Sequence, residues 1–307
     1  MILTICPNPS MDCTIELDAL NVGKLNRISN KVETYSGKAL NVAMGVARLQ
    51  EKSFATGFMF ENNGKMFEQT LEKEGVEHEF VWNSGSVRVN YKIIDKRSML
   101  TEINDKGDEV REEKQAELIR LVGRLSQNCD IAVMSGSLPK GVAPEFYGEV
   151  LKVIPSRVKK VVDTEKVNLE CAIKEDLYMV KPNLTELEHI AGETLIGKND
   201  ILRASYKLLN KGVRLVLVSL GSEGAILTDG IRNFYCKSAN VAVNSTVGAG
   251  DSMVASACVQ LEKGADMEEI LRCSVAAGTA AITTSGTNLF YKDKYEEIYS
   301  KIFVEAI

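Results

Sequence analysis

The chain has 307 residues, room for one large domain or two smaller ones, and its 45% hydrophobic and 26% charged content is that of a globular protein with a sizeable core. A formal net charge of −5 and a pI near 5.4 exclude the broad basic field that draws nucleic acid, so an anionic ligand must be held by local positive groups. No apolar run approaches the roughly 20 residues of a membrane span, and MILTICPNPSMDC lacks the basic start and apolar length of a signal peptide, so a cytoplasmic protein is expected.

In chain order, ILTIC (2–6) reads as a first strand. KALNVAMGVARLQ (38–50) places Leu40, Ala43, Met44 and Ala47 at helical spacing. SFATGFMF (53–60) reads as a strand and KMFEQTLEKEG (65–75) as a helix stopped by Gly75. SVRVNYKIID (86–95) and RSMLTEIND (97–105) alternate with period two, with Val87, Val89, Tyr91 and Ile93 on one face and Arg88, Asn90 and Lys92 on the other. EEKQAELIRLVGRLS (112–126) and ILRASYKLLNKG (201–212) read as helices. DIAVMSG (130–136), KKVVDT (159–164), LYMVKPN (177–183) and RLVLVSLG (214–221) are compact apolar runs, each ending at a small or polar residue. The alternation predicts an α/β fold: a mostly parallel central sheet with helices on both faces. The half-polar hairpin breaks the pattern. It reads either as an ordinary edge hairpin or as a lid whose polar face looks at a substrate and whose apolar face is covered by a second subunit, giving a homodimer.

The seven cysteines are scattered without a CxxC pair, which fits reduced thiols. The only histidines, His78 and His189, read as surface or structural, so neither a Ser-His-Asp triad nor a histidine-rich metal site is expected. Chemistry is left to carboxylates, lysines, backbone amides and a hard cation.

Four segments fall at strand ends or helix starts, where a parallel sheet binds ligands. In YSGKALNVA (35–43), Lys38 is placed to bind a fixed phosphate and Asn41, one turn on, a sugar hydroxyl. In KPNLTE (181–186), Asn183 and Glu186 share a face, either as oxygen ligands for Mg2+ or as an N-cap and capping box. SLGSEGA (219–225) brings two glycines to a strand end, for close approach of a nucleotide or for a simple turn. NSTVGAGDSMVA (244–255) opens a helix whose free amides and dipole favour an anion, yet Asp251 is itself an anion. Two near-motifs fail. GETLIGKN (192–199) ends in Asn199 where a P-loop needs Ser or Thr, and GAGDS lacks the full dinucleotide fingerprint, which disfavours a dehydrogenase.

PNPSMD (7–12), SGKALN (36–41), SGSLPKG (135–141), KPNLTE, SLGSEGA and STVGAGDSMVA (245–255) together resemble, in order and over essentially the whole chain, the ribokinase-like PfkB family of sugar kinases. PNPSMD and SGSLP resemble its hexose-phosphate branch, that of 1-phosphofructokinase and tagatose-6-phosphate kinase. The resemblance implies a single ribokinase-like domain over 1–307, with lid strands inserted from about 11–17, 31–36 and 86–104. It further implies ATP as donor, Mg2+ as cofactor and a hexose monophosphate as acceptor. Carried over by position, Asp251 becomes the catalytic base and Gly248, Ala249 and Gly250 the anion hole. Asn183 and Glu186 organise Mg2+ and the phosphates, while Ser219, Gly221 and Gly224 line the nucleotide side. Asp12, Gly37, Lys38, Asn41 and Arg88 hold the sugar phosphate, Ser135 and Gly136 line the cleft, and residues 276–287 lie near adenine. One departure stands out: the branch shows GGKGxN where this chain has SGKALN, so Ser36 and Ala39 each add a side chain where backbone passes near substrate. On this reading Asp251 takes a proton from the acceptor hydroxyl while the amides of 248–251 stabilise the transferred group, and the two face opposite partners of one in-line reaction.

Overall fold

In the computed structural model, which describes residues 1–97, 99–284 and 289–307, every residue of β1 (Ile2–Cys6) is buried. The reason is position: β1 lies inside a ten-stranded sheet covered on both faces. β5 (Glu77–Asn83), β4 (Ser53–Phe60), β1, β8 (Ile131–Ser135), β9 (Lys159–Asp163), β10 (Met179–Val180) and β11 (Leu215–Ser219) run parallel in that order. β12 (Ala225–Thr228), β13 (Asn233–Cys236) and β14 (Val304–Ala306) extend one edge antiparallel. Period-two alternation sends Ala132 and Met134 of β8 into one core and Ile131 and Val133 into the other, so a doubly covered strand reads as continuously apolar.

A second sheet of four strands stands apart: β3 (Asn30–Ser36), β2 (Ser10–Leu17), β6 (Arg88–Asp95) and β7 (Leu100–Asn104), in that order. β2 and β6 pair in parallel, with Ser10 opposite Arg88, Asp12 opposite Asn90 and Thr14 opposite Lys92. These residues share one face of the sheet, and β7 is exposed throughout.

One core is built by the helices Lys38–Arg48, Ala249–Lys263 and Met267–Ala281. The Ala249–Lys263 helix is buried without a break from Asp251 to Val259 and packs on the other two helices, and a large apolar side chain so buried is worth about 1.5–3 kcal/mol. Gly45 lets the first two helices touch: a Cβ there would lie 2.7 Å from the Cβ of Ala255. This contact, one turn beyond Asp251, sets where the mouth of the Ala249–Lys263 helix sits.

Three expected elements differ in extent. The strand expected over 177–183 is continuous only at Met179–Val180: Pro182 has no N–H to offer a ladder, and pairing returns as a single bridge of Asn183 to Ser219. The helix expected from 201 begins at Gly197, inside the failed P-loop segment, and the return strand of the hairpin is confined to Leu100–Asn104. All seven cysteines are free, and no helix among the described residues is long and apolar enough to cross a membrane.

Candidate active site

A cleft of about 780 Å³ lies between the polar face of the small sheet and the carboxyl ends of β9, β10 and β11. Asp251 sits at its floor, only 7% exposed, and its Oδ2 accepts a 2.8 Å hydrogen bond from Asn41 Nδ2. Burial holds its carboxyl above the ordinary range, and the nearby Lys38 offsets that only in part. Gly248 enters the helix at φ 80°, a left-handed conformation suited to glycine, and carries no side-chain cap. The first-turn amides of Ala249, Gly250 and Asp251 have no intrahelical acceptor and therefore suit an anion.

Asp163, at the end of β9, is almost wholly buried beneath the same floor. Lys38 Nζ lies 3.4 Å from its Oδ2 and Lys181 Nζ 3.4 Å from its Oδ1. Burial raises the Asp163 carboxyl, but Lys181 and Lys38 outweigh it and the net shift is downward. Asp163 in turn holds the Lys38 ammonium well above the usual lysine range, against the effect of burial. Lys38 thus stands beside Asp163 with Asp251 nearby.

The small sheet contributes the opposite wall. Asp12 accepts from Asn90 Nδ2 at 3.2 Å and from Lys92 Nζ at 2.9 Å. Because a carboxylate only accepts, these contacts fix the orientation of the Asn90 amide, as Asp251 fixes that of Asn41. Asn41 Oδ1 and Asn90 Oδ1 are then buried acceptors without a donor among the described residues, both belonging to cleft-lining residues. Arg88 is held by the carbonyls of Pro9 and Asn8, each at 3.4 Å, and has no carboxylate ion pair among the described residues. Burial lowers its pKa, the mark of a guanidinium short of anionic company.

On the far side, Asn183, Ser219, Gly221 and Gly224 line the cleft, as do Gly278, Thr279 and Ile282 of the segment expected near adenine. Residues 285–287 of that segment lie outside the described residues. Asn183 and Glu186 form a reciprocal capping box, with Asn183 Oδ1 accepting from Glu186 N and Glu186 Oε2 from Asn183 N, both at 2.8 Å. Gly224 is required by β13, since a Cβ there would lie 2.0 Å from the Cys236 carbonyl.

Two expected lining residues are corrected. Ser135 is fully buried with its Oγ on the Asp163 carbonyl, and Gly136 gives its carbonyl to Tyr147 and Thr164; neither lines the cleft. They shape the bed beneath Asp163 instead. Of the two side chains added in SGKALN, Ser36 lines the cleft, whereas Ala39 points its methyl into the core. Asp163, Lys181, Asn90 and Lys92 were not singled out as site residues from sequence. The available signals were an Asp at a strand end and the polar phase of the period-two strand.

A family profile described as pfkB family carbohydrate kinase matches residues 8–294. The chain belongs to the pfkB family of carbohydrate kinases. It is 29% identical over 307 residues to a 1-phosphofructokinase of Vibrio cholerae, covering 100% of this chain and 97% of that relative. It is 30% identical over 309 residues to a tagatose-6-phosphate kinase of Staphylococcus epidermidis, covering 99% of each. A crystal structure of phosphofructokinase-2 from Escherichia coli with substrates and products superposes with a TM-score of 0.91 at 29% identity, covering 98% of both chains.

The donor set of this pfkB kinase fits a divalent cation only of the kind that arrives with a nucleotide. No group of three or more metal-ligating side chains occurs among the described residues. Glu186 spends one carboxylate oxygen on its cap and keeps the other. Mg2+ characteristically takes one or two carboxylates plus phosphate oxygens and water.

Proposed function

We propose that this pfkB kinase transfers the terminal phosphoryl group of ATP to a hydroxyl of a hexose monophosphate, releasing ADP and a hexose bisphosphate, with Asp251 as general base. The observation that carries the reading is Asp251 itself: a buried carboxylate with a raised pKa, held by Asn41 next to free helix amides. The attacking oxygen loses its proton to Asp251 as it bonds to phosphorus, and the amides of Ala249, Gly250 and Asp251 receive the charge on the phosphoryl oxygens. Mg2+, when bound with ATP, would neutralise phosphate charge, and Glu186, whose second carboxylate oxygen is not used by its cap, would hold it through water.

The acceptor is a sugar phosphate because the cleft offers hydroxyl partners and, in Arg88, a lid-face guanidinium with no carboxylate ion pair among the described residues. Asp12, Asn41 and Asn90, all lining the cleft, face the sugar. Arg88 takes the non-reacting phosphate. The names of the relatives, 1-phosphofructokinase and tagatose-6-phosphate kinase, support this substrate class. The small sheet acts as a lid, and the exposed apolar residues Val22, Leu25 and Ile28 of the loop between β2 and β3, together with Ile103 of β7, are covered by a second copy of the chain in a homodimer.

The test is a coupled ADP-release screen with ATP and Mg2+ over fructose 1-phosphate, fructose 6-phosphate and tagatose 6-phosphate, each beside its parent sugar. At least one phosphorylated sugar is expected to exceed its parent in kcat/KM by a factor of 10 or more, about 1.4 kcal/mol. A parent sugar or ribose as the best acceptor overturns the assignment.

A further inference from the structure

Val87 lies between the two sheets and belongs to neither: β5 of the large sheet ends at Asn83, and β6 of the small one begins at Arg88. Val87 is only 1% exposed, so its backbone N–H and C=O are buried with no ladder to pair them. One side chain serves both. Asn63, in the loop between β4 and the Lys65–Lys73 helix, accepts from Val87 N at 2.7 Å through Oδ1 and donates to Val87 O at 3.0 Å through Nδ2. The pair imitates one rung of a ladder. A carboxamide suits the task because it sets a donor beside an acceptor, whereas an ionised carboxylate only accepts.

The residue next to this rung is Arg88, and other contacts gather at the same crossing. Asn62 N donates to Gly85 O at 3.0 Å, and Ser86 N donates to Asp108 Oδ2 at 2.7 Å. On the way out of β7, Gly107 passes so close that a Cβ there would lie 3.1 Å from that of Arg88. The guanidinium reaches back to the carbonyls of Asn8 and Pro9, where the chain passes from β1 to β2. Three passages of the chain between the large sheet and the lid thus meet around Arg88. The lid residue with a cation for the sugar phosphate is the one whose backbone is tied to the large-sheet side, and Asn63 supplies the tie.

We propose that Asn63 is a positioning residue of this kinase: by holding both backbone groups of Val87, it aims the Arg88 guanidinium at the non-reacting phosphate of the acceptor. The inference rests on the sugar-phosphate reading above. Asn63 does not line the cleft and acts only through Arg88. Its loss therefore weakens the grip on a phosphorylated acceptor, not the handling of ATP or of a sugar without phosphate.

The experiment compares wild type, Asn63→Leu, Asn63→Asp, Arg88→Gln and the double variant Asn63→Leu/Arg88→Gln. Steady-state kinetics are run with ATP and the best hexose monophosphate, and with its parent sugar, and amide hydrogen exchange is followed at Val87. In Asn63→Leu, KM for the sugar phosphate should rise about 10-fold, or 1.4 kcal/mol. KM for ATP, kcat, and kcat/KM for the parent sugar should stay within about 2-fold of wild type, and the Val87 amide should exchange faster. The double variant should be no worse than Arg88→Gln alone, since two residues that act in series share one loss. Should Asn63→Leu fail to fold, Asn63→Asp carries the test: it keeps the bond from Val87 N, sets an oxygen against Val87 O, and should shift the same KM in the same direction. An unchanged KM for the sugar phosphate in a folded variant overturns the proposal. So does an equal loss for ATP and the parent sugar, the mark of general loosening, or a double variant whose losses multiply. A wild-type protein that prefers the parent sugar refutes the sugar-phosphate reading instead, and exchange at Val87 still decides whether Asn63 holds it.

Discussion

Asp251→Asn should move turnover and stability in opposite directions. The amide keeps the shape of the carboxylate and can still accept from Asn41 Nδ2, so the hydrogen bond of 2.8 Å survives and the helix mouth is undisturbed. What disappears is the base. A positioned base contributes about 10²–10⁴ in rate, or roughly 2.7–5.4 kcal/mol at 1.36 kcal/mol per decade, so kcat should fall by that factor while ATP affinity holds. Stability should rise. Burial lifts the Asp251 carboxyl above its unfolded value, which means the native state binds its proton more tightly than the unfolded chain does. Wild-type stability therefore falls as pH rises from the unfolded pKa through the folded one, and above that window the full cost of the buried charge is present. The uncharged variant escapes it. Thermal unfolding at pH 7 should give a higher Tm for Asp251→Asn, with the gap closing as pH drops through the folded pKa; at this chain length each kcal/mol amounts to roughly 2 °C. The wild-type kcat/KM profile should lose its acid limb above the ordinary carboxylate range of about 4. Retained turnover refutes the base assignment. Lost turnover with a lower Tm refutes the claim that burial dominates the local electrostatics.

Other perturbations follow from single contacts. Arg88→Gln removes the one guanidinium on the lid face that lacks a carboxylate partner; KM for the sugar phosphate should rise about 10- to 150-fold, the equivalent of 1.5–3 kcal/mol, with KM for ATP unchanged in steady-state kinetics. Glu186→Gln retains a residue suited to the capping box, so Tm should stay put while the Mg2+ concentration for half-maximal activity increases; loss of Tm instead would show a purely structural glutamate. Gly45→Ala places a methyl 2.7 Å from the Cβ of Ala255, and overpacking of this kind costs about 1–3 kcal/mol. It should lower Tm and, through the displaced Asp251, kcat, and adding Ala255→Gly should restore both.

The parts of the fold legible in the sequence were those decided by local pattern. The runs 2–6 and 53–60 match β1 and β4, because a strand covered on both faces is apolar throughout and ends where polar residues begin. β10 is shorter than its pattern suggests: LYMVKPN is apolar enough, but Pro182 interrupts the ladder, which returns only as the bridge of Asn183 to Ser219. β5 was missed, since EHEFVWN carries its charges on an edge strand and reads as surface. The site divides in the same way. Asp251 and its glycine turn are contiguous and announce themselves as a motif. Asp163 and Lys181 are joined only because β9 and β10 are neighbours in the sheet, a fact of topology that no short window contains. Ser135 and Gly136 mislead for the converse reason: they lie at the right strand end, yet the strand's alternation turns Ser135 into the core.

The acidic chain and its two anionic substrates are reconciled by placement rather than by total charge. Arg88 stands on the lid face without a carboxylate ion pair among the described residues, and Lys38 and Lys181 share Asp163 at the floor, so on the proposed reading each phosphate would meet a local surplus inside a protein of net charge −5. Asp251 obeys the opposite logic. The helix dipole and a nearby lysine both favour its ionised form, yet burial prevails and the carboxyl is raised. A carboxylate in open water at the same helix start would be a contented anion with little appetite for a proton. Sunk beside Asn41, it binds a proton more tightly, and the cost of keeping it charged there is what its neutral variant should return as stability.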